Sequence, residues 1–501
     1  MSLSILHARA AVGVAAPVVT VEVQLSGGLP GFSIVGLAEA EVKESRDRVR
    51  AAILNSGFDF PVRKVIVNLA PADLPKEGGR FDLPIALGIL ASNGQLPTDI
   101  LERYEFYGEL ALSGELRAVR GILPAVLKAA QARRAVVVPC ASALEAGLGG
   151  GGEVYQAPTL LAVCSHLRGV TPLQRCPATP PPEDYFPEAD LVDVRGQHMA
   201  RRALEVAAAG AHNLLFVGPP GTGKSMLAHR LPGILPPLAD HEALEHAAIA
   251  SISIQGVNVA RWRERPFRSP HHTASGIALV GGGSVPRPGE ISMAHHGVLF
   301  LDELTEWARN TLDVLREPLE SGRITISRAA RHAEFPARFQ LIAAMNPCPC
   351  GYAGDPSGRC QCSAEQVKRY RGRVSGPLLD RIDIQVEVPR VPQTELRSDV
   401  IVLPENSAVV RARVCAAREL QLKRAGKPNC QLNNSEISRD CKLGEREHTL
   451  LDRLVERCGL SARAYHRILK MARSIADLAG ADRIAAAHLS EAVGLRRIAS
   501  T

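Results

Sequence analysis

The chain has 501 residues, room for about two to four domains with buried cores of their own. An apolar fraction of 46% beside 22% charged residues is ordinary for a soluble protein, and no run of 18 or more apolar residues is present, so no membrane span is expected. The net charge of +7 permits an acidic partner such as nucleic acid without requiring one, and aromatics at 4% argue against a platform on which bases stack.

Residues 10–21 resemble the apolar part of a secretion signal, but Val18, Val19, Val21 and Val23 are β-branched and predict a strand. The eleven cysteines are an odd number and four of them cluster. That fits a reducing, cytoplasmic setting with a metal site, not a disulfide framework. Residues 1–168 mix strands (18–25, 64–69, 135–139) with helices (42–54, 83–96, 121–133). A hairpin is expected over 106–117, turning near Ser113 and Gly114, and a glycine loop over 147–152. Residues 169–189 are a linker, with six prolines between 171 and 187.

Residues 190–400 carry the chemistry. In LLFVGPPGTGKS (214–225) a short apolar strand runs into Gly218, Pro219, Pro220, Gly221, Thr222, Gly223, Lys224 and Ser225, and a helix can follow. This G-x-x-x-x-G-K-S spacing wraps nucleotide phosphates with backbone N–H groups at a helix N-terminus. Lys224 reaches the β- and γ-phosphates of ATP, and Ser225 ligates Mg²⁺. The second signal is VLFLDE (298–303), an apolar strand that ends in two carboxylates. Asp302 suits Mg²⁺, directly or through water, and Glu303 suits polarising a water. A third strand, FQLIAA (339–344), precedes Met345 and Asn346. Asn346 is placed to orient the attacking water, or to turn the chain before Pro347.

Four cysteines follow: Cys348 and Cys350, then nine residues, then Cys360 and Cys362. Four thiolates satisfy a tetrahedral, structural Zn²⁺; buried free thiols or a redox pair are the other readings. Residues 323–338 hold Arg323, Arg328, Arg331 and Arg338 against Glu334, a net +3, and look like a hairpin. Arg328 and Arg331 near its tip suit sequence-independent contact with DNA phosphates, unless the hairpin is merely solvated. The basic run EQVKRYRGR, with Lys368, Arg369, Arg371 and Arg373, is either a phosphate contact or a charged helix. His271–His272 and His295–His296 lack metal-ligand spacing and are expected to line the base of an insertion. Residues 401–501 are largely helical, with Tyr465, Ile468, Leu469, Ala472, Ile475 and Ala476 on one face behind a capping Ser461.

With the D-E strand and the tip of the next strand in place, the chain resembles the AAA+ ATPases: an α/β P-loop core with a helical lid. The resemblance implies that Asn346 is the first sensor. It implies that Arg381, in GPLLDRID, is an arginine finger offered to a neighbouring subunit, and that Arg463 in SARAYHR is the second sensor, with Arg467 one turn on as the fallback. A surface salt bridge is the plainer reading of Arg381 and Arg463.

The match narrows to the magnesium-chelatase-like AAA+ proteins of the ComM/YifB type. Its supporting stretches are VEVQLSGGLPGFSIVGL (21–37), NLAPADLPKEGGRFDLPIALGIL (68–90), FRSPHHTAS (267–275), GEISMAHHGVLFLDEL (289–304), AAMNPCPCG (343–351) and SGPLLDRIDI (375–384). This resemblance implies a homo-hexameric DNA motor: a helicase that promotes branch migration of recombination intermediates, on single-stranded or branched DNA, in natural transformation, with a recombinase as a candidate partner. It also implies that residues 250–297, rich in glycine and proline, are a loop-like insertion into a central pore. A magnesium-chelatase-type motor and a protein-remodelling ATPase are the alternatives.

In the N-terminal part, LPKEGGRFDLPIALGILA resembles the catalytic segment of the Lon-type protease fold. Gly79, Arg80, Phe81 and Asp82 stand where a serine nucleophile is required, and near Leu123, where the paired lysine is required, none comes before Lys128. A nucleophile without its base does not work, so a non-catalytic α+β domain of that fold is expected.

Overall fold

The structure, a computed structural model, describes residues 2–36, 40–177, 189–283, 286–328, 331–355, 358–392, 405–458 and 461–496. The valine alternation near residue 20 gives what period-two patterning dictates: in the strand Val18–Ser26 every second residue is buried. It pairs antiparallel with Ser2–Arg9 on one side and Lys64–Ala70 on the other. An eight-stranded mixed sheet grows around this pair, in the order Gln174–Arg175, Val154–Ala157, Ala135–Pro139, Tyr104–Phe106, Ser2–Arg9, Val18–Ser26, Lys64–Ala70, Gly31–Val35. Helix Asp82–Ser92 is buried at every position against it. That helix stops short of the expected residue 96, because Gly94 takes a left-handed turn at φ +73°.

One boundary differs from the sequence reading. Gln174–Arg175 is not linker but an edge strand, paired antiparallel with Val154–Ala157. Arg175 bonds Glu153 at 2.9 Å and stands over the Tyr155 ring. Proline on either side is tolerated there, since an edge strand leaves one row of amides unpaired. Residues 178–188, the rest of the proline-rich run, lie outside the described residues.

The second sheet has five parallel strands, in the order Phe267–Arg268, Val298–Leu301, Gln340–Met345, Leu214–Val217, Ile384–Glu387. Its strands Leu214–Val217 and Val298–Leu301 are apolar throughout because both faces are covered. Leu214, Phe216, Phe300 and Ile342 face one core; Leu215, Val217, Leu299 and Leu341 face the other. Helix Ala462–Leu478 lays Ile468, Leu469, Ala472 and Ile475 into the first core, where each of the isoleucines and Leu469 is worth about 1.5–3 kcal/mol of burial. Ser461 caps it by accepting from the Ala464 amide at 3.3 Å, a contribution of about 1 kcal/mol.

The stretch 250–297 is more ordered than its glycines and prolines predict. The described residues form strand Phe267–Arg268, helix Gly276–Val280, a small pair of strands (Gly281–Gly282 with Arg287–Pro288) and helix Glu290–Met293. Leu279 and Ile291 anchor these pieces in the core, which the glycine count hides.

Helix Asp240–Ile252 joins the two sheets' domains. Ala243 and Ala247, with Leu238 and Trp262, pack on Leu123 and Leu148 of the N-terminal part. At its end the Gly121 amide donates to Ser251 O at 3.0 Å, and Ser251 Oγ donates to Glu145 at 2.5 Å. Midway, Glu245 accepts from His295 Nε2 at 3.1 Å and His296 Nε2 at 2.7 Å. The Arg338 amide donates to His295 Nδ1 at 3.0 Å, which leaves the proton on Nε2. The two histidines hold the Glu245 carboxyl well below the usual range, against the effect of burial. With Glu245 they form a clamp whose three ligand-type atoms lie within 4.8 Å of one another. No helix among the described residues is long and apolar enough to cross a membrane.

Candidate nucleotide site

The strand Leu214–Val217 delivers the chain to Gly218, where a Cβ would meet Val388 O at 2.2 Å, so only glycine fits. Gly221 and Gly223 take φ +75° and +89°, and helix Lys224–Arg230 begins there. Thr222 Oγ1 closes the loop on Pro219 O at 3.0 Å. Lys224 Nζ donates to Gly218 O (2.7 Å), Pro219 O (2.8 Å) and Asn346 Oδ1 (3.1 Å). Burial lowers its pKa, partly offset by Asp302 and Glu303. Asn346 follows the central strand Gln340–Met345, which starts and ends one residue later than the sequence predicts.

Ser225 Oγ donates to Asp302 Oδ2 at 2.6 Å. Two oxygens bound to one Mg²⁺ in neighbouring octahedral positions stand about 3 Å apart, so this pair needs only a small opening to hold the ion. Asp302 O also accepts from Trp307 Nε1 at 3.0 Å, which pins the strand end. Glu303 sits in the left-handed region at φ +47°, a conformation that costs a non-glycine residue about 1–3 kcal/mol and recurs at functional sites. Its side chain is 54% exposed and meets His272 Nδ1 at 3.1 Å. His272 has no sequence signal of this role beyond its place in FRSPHHTAS, and the contact was not foreseen.

The structure thus brings together Lys224, Ser225, Asp302, Glu303 and Asn346. Among the described residues no hydrogen bond or ion pair joins Arg381 or Arg463 to that group. Arg381 is nearly buried, donating to Pro377 O at 2.7 Å and pairing with Glu320 at 2.5 Å. Arg463 is exposed near the start of the helix that Ser461 caps. Arg467, the fallback, pairs with Asp383 and donates to Arg381 O at 3.2 Å, so in this structure it too is directed away from that group.

The four cysteines converge. Cys348 Sγ lies 3.3 Å from Cys350 Sγ and 3.8 Å from Cys360 Sγ, Cys350 lies 3.7 Å from Cys360, and all four sulfurs, Cys362 included, lie within 4.8 Å of one another. The Tyr352 amide, chiefly, pulls the Cys350 thiol down to about 6. The basic run after them is largely committed internally. Helix Ala364–Arg371 starts in a capping box at Ser363, Arg371 donates to Pro347 O at 3.1 Å, and Arg373 holds Thr305 O and Glu306. The expected hairpin is present as Arg323–Arg328 paired antiparallel with Arg331–Pro336. Arg328 and Arg331 face each other across the last register; their side chains lie outside the described residues.

A P-loop, a D-E strand two places away and a polar strand tip between them, on a parallel sheet in this order, define an ATPase of the AAA+ class. Three family models match the chain: magnesium chelatase, subunit ChlI, over residues 190–396; subunit ChlI of Mg-chelatase over 21–142; and the magnesium chelatase subunit ChlI C-terminal model over 404–496. The chain is 52% identical over 506 residues to competence protein ComM of Haemophilus influenzae, covering 99% of this chain and 98% of that protein. It is 52% identical over 502 residues to YifB of Escherichia coli, with the same coverage. The magnesium-chelatase 38 kDa subunit of Rhodobacter capsulatus is 26% identical over 237 residues, 43% of this chain and 59% of that protein. The chain belongs to the magnesium-chelatase-like AAA+ family of ComM and YifB. It is accordingly an ATPase that works with ATP and Mg²⁺.

Proposed function

We propose that the protein is a homo-hexameric, ATP-driven DNA motor that moves branch points of recombination intermediates, as a helicase serving natural transformation beside a recombinase. The observation that carries this reading is the likeness to the competence protein ComM along almost the whole chain. The hairpin Arg323–Pro336 supports it: four arginines in and beside it against one glutamate suit a phosphate backbone, and Arg328 and Arg331 flank its turn.

In this reading ATP lies over Gly218–Ser225, and Lys224 leaves its loop carbonyls for the phosphates. Ser225 and Asp302 would hold Mg²⁺, which would offset charge on the phosphates. Glu303 takes the proton of the attacking water, and Asn346 positions that water. Arg381 is the finger. It exchanges Glu320, itself 59% exposed, for the γ-phosphate on a neighbouring subunit. Arg463, free of any ion pair among the described residues, reaches the phosphates of its own chain.

The test is ATP turnover with single-stranded, duplex and four-way DNA at two salt concentrations, and remodelling of a four-way junction. Expected are DNA stimulation that weakens with salt, and junction remodelling that depends on ATP. An active ATPase that neither binds DNA nor remodels the junction overturns the motor reading. A magnesium-chelatase role is the alternative. The family model over residues 21–142 also carries a chelatase description, so the N-terminal part does not argue against that role. What argues against it is reach, since the R. capsulatus subunit aligns over only 43% of this chain.

The four cysteines are assigned to a structural Zn²⁺. A tetrahedron with Zn–S bonds of about 2.3 Å has edges of about 3.8 Å, close to the sulfur separations here. Cys348 Sγ also accepts from the Ala353 amide at 3.2 Å, an outer-shell bond of the kind that steadies a thiolate. Metal analysis of purified protein is expected to find one zinc per chain. Cys360→Ser is expected to lower zinc retention by about tenfold or more against a chelator. A folded protein free of metal would leave the other readings, free thiols or a redox pair.

A further inference from the structure

The four-cysteine loop does not stand apart from the nucleotide site. Cys348 follows Asn346 with only Pro347 between them, and its side chain is fully buried. The chain then bends back at Gly351, whose amide donates to Cys348 O at 3.0 Å. Gly351 is buried and takes φ +86°, and a Cβ on it would meet Pro220 Cδ at 2.6 Å and Cγ at 3.2 Å. Bare backbone of the cysteine loop therefore packs directly on the phosphate-binding loop, and both the angle and the contact call for glycine.

The phosphate-binding loop is also held by the ends of two strands. The Gly218 amide donates to Met345 O at 3.2 Å, and Gly218 lies against Val388 O. Pro389 O accepts from Gln197 Nε2 at 2.6 Å, and the same amide group donates to Thr222 O at 3.3 Å. The next residue, Arg390, reaches back to the cysteine loop. It pairs with the buried carboxylate of Asp355 at 3.1 Å, and its guanidinium lies 5.1 Å from the centroid of the Tyr352 ring. The loop that carries Pro219 and Pro220 is thus bracketed by the cysteine loop and by the segment after strand Ile384–Glu387, with Arg390 joining the two. Lys224 is tied into the same bracket through Gly218 O, Pro219 O and Asn346 Oδ1.

We propose that the four-cysteine loop is a positioning element of the phosphate-binding loop: with Cys348, Cys350, Cys360 and Cys362 joined through Zn²⁺, Gly351 and Asp355 are held against Pro220 and Arg390, and nucleotide affinity follows metal occupancy. The proposal rests on the zinc reading given above. Its physical reason is loop closure. Nine residues separate Cys350 from Cys360, and joining the two cysteine pairs removes conformations that the open loop would sample. Gly351 and Asp355, both inside that closed loop, then meet their partners already ordered. Four thiols without the metal lack the link. The coupling is reciprocal: whatever bound metal adds to the grip on nucleotide, bound nucleotide adds to the grip on metal. The cysteines are positioning residues, since they act through Pro220 and Arg390.

The test uses the full, zinc-loaded chain and reads binding at equilibrium, not turnover. Zinc retention is titrated with the zinc-selective chelator TPEN in the presence of Mg²⁺, with and without the ATP analogue AMP-PNP. Affinity for AMP-PNP is measured on loaded and on stripped protein. Both constants are expected to shift by about fivefold or more, and by the same factor. Should stripped protein unfold, the retention titration decides, because it starts from loaded protein. Arg390→Ala, which opens the bracket at a residue that is neither a cysteine nor part of the phosphate-binding loop, is expected to reduce the coupling to about twofold or less. Zinc retention that AMP-PNP leaves unchanged overturns the proposal and leaves the zinc site standing. Coupling of full size in Arg390→Ala protein overturns it as well. Protein that takes up no zinc overturns the zinc reading and this proposal together.

Discussion

Exchange of Glu303 for glutamine is expected to lower ATP turnover by about 10²–10⁴-fold while leaving ATP bound. The amide keeps the shape of the side chain and loses the basic oxygen. The phosphate grip is untouched, because Lys224 is held by Gly218, Pro219 and Asn346, and Ser225 by Asp302. Glu303 reaches only His272 among these neighbours. Phosphate release measured beside nucleotide affinity separates the two effects. Turnover within tenfold of the parent protein would show that another group activates the water. Lys224→Ala provides the contrast, since it is expected to lose nucleotide affinity as well as turnover.

The largest expected effect on stability is at Asp383. Its carboxylate accepts from the Asn213 amide at 3.0 Å, pairs with Arg467, and faces His212 Nδ1 at 3.6 Å. At 3.6 Å this contact is longer than a good hydrogen bond. Arg381 O accepts from Asn213 and Arg467, and Arg496 binds the carbonyls of Ile382 and Asp383. One carboxylate therefore ties two sheet strands to the C-terminal helices. Removing it leaves Arg467 without its partner, and Asp383→Ala is expected to cost about 3–5 kcal/mol. A lower urea midpoint for the ATPase part is the readout. Burial pushes the Asp383 carboxyl up, but His212, Arg467 and the Asn213 amide outweigh it and hold it well below the usual range. For an acid depressed in the folded state, the stabilisation is complete above the unfolded value of about 3.9 and is lost as pH falls through the folded one. The parent protein should thus weaken steadily below about pH 4, and Asp383→Asn should flatten that slope.

Short-range patterns carried the site. The P-loop, the D-E pair and Asn346 were legible because each lies at the end of an apolar strand, where a parallel sheet gathers its ligands. The four cysteines were legible from count and spacing. Contacts between distant segments were not. Glu303 meets His272 because Phe267–Arg268 pairs beside Val298–Leu301, a pairing too short to announce itself. Arg467 is spent on Asp383 because the C-terminal helix docks there. Gln174–Arg175 joins the sheet through a neighbour about 20 residues upstream, while its own prolines speak for a linker. The insertion after Ile252 is anchored by single apolar residues, Leu279 and Ile291, that leave no period to detect.

The helix Asp240–Ile252 has 13 residues and so a length of about 20 Å. It is pinned to the N-terminal part at Ser251 and to His295 and His296 at Glu245. Those histidines immediately precede the strand Val298–Leu301, whose far end carries Asp302 and Glu303. The helix is a rod that links the N-terminal sheet to the strand ending at Asp302 and Glu303. A tilt of the N-terminal sheet is therefore expected to move the strand end that carries Asp302 and Glu303. By reciprocity, whatever nucleotide does to that strand is felt by any partner gripping the N-terminal part.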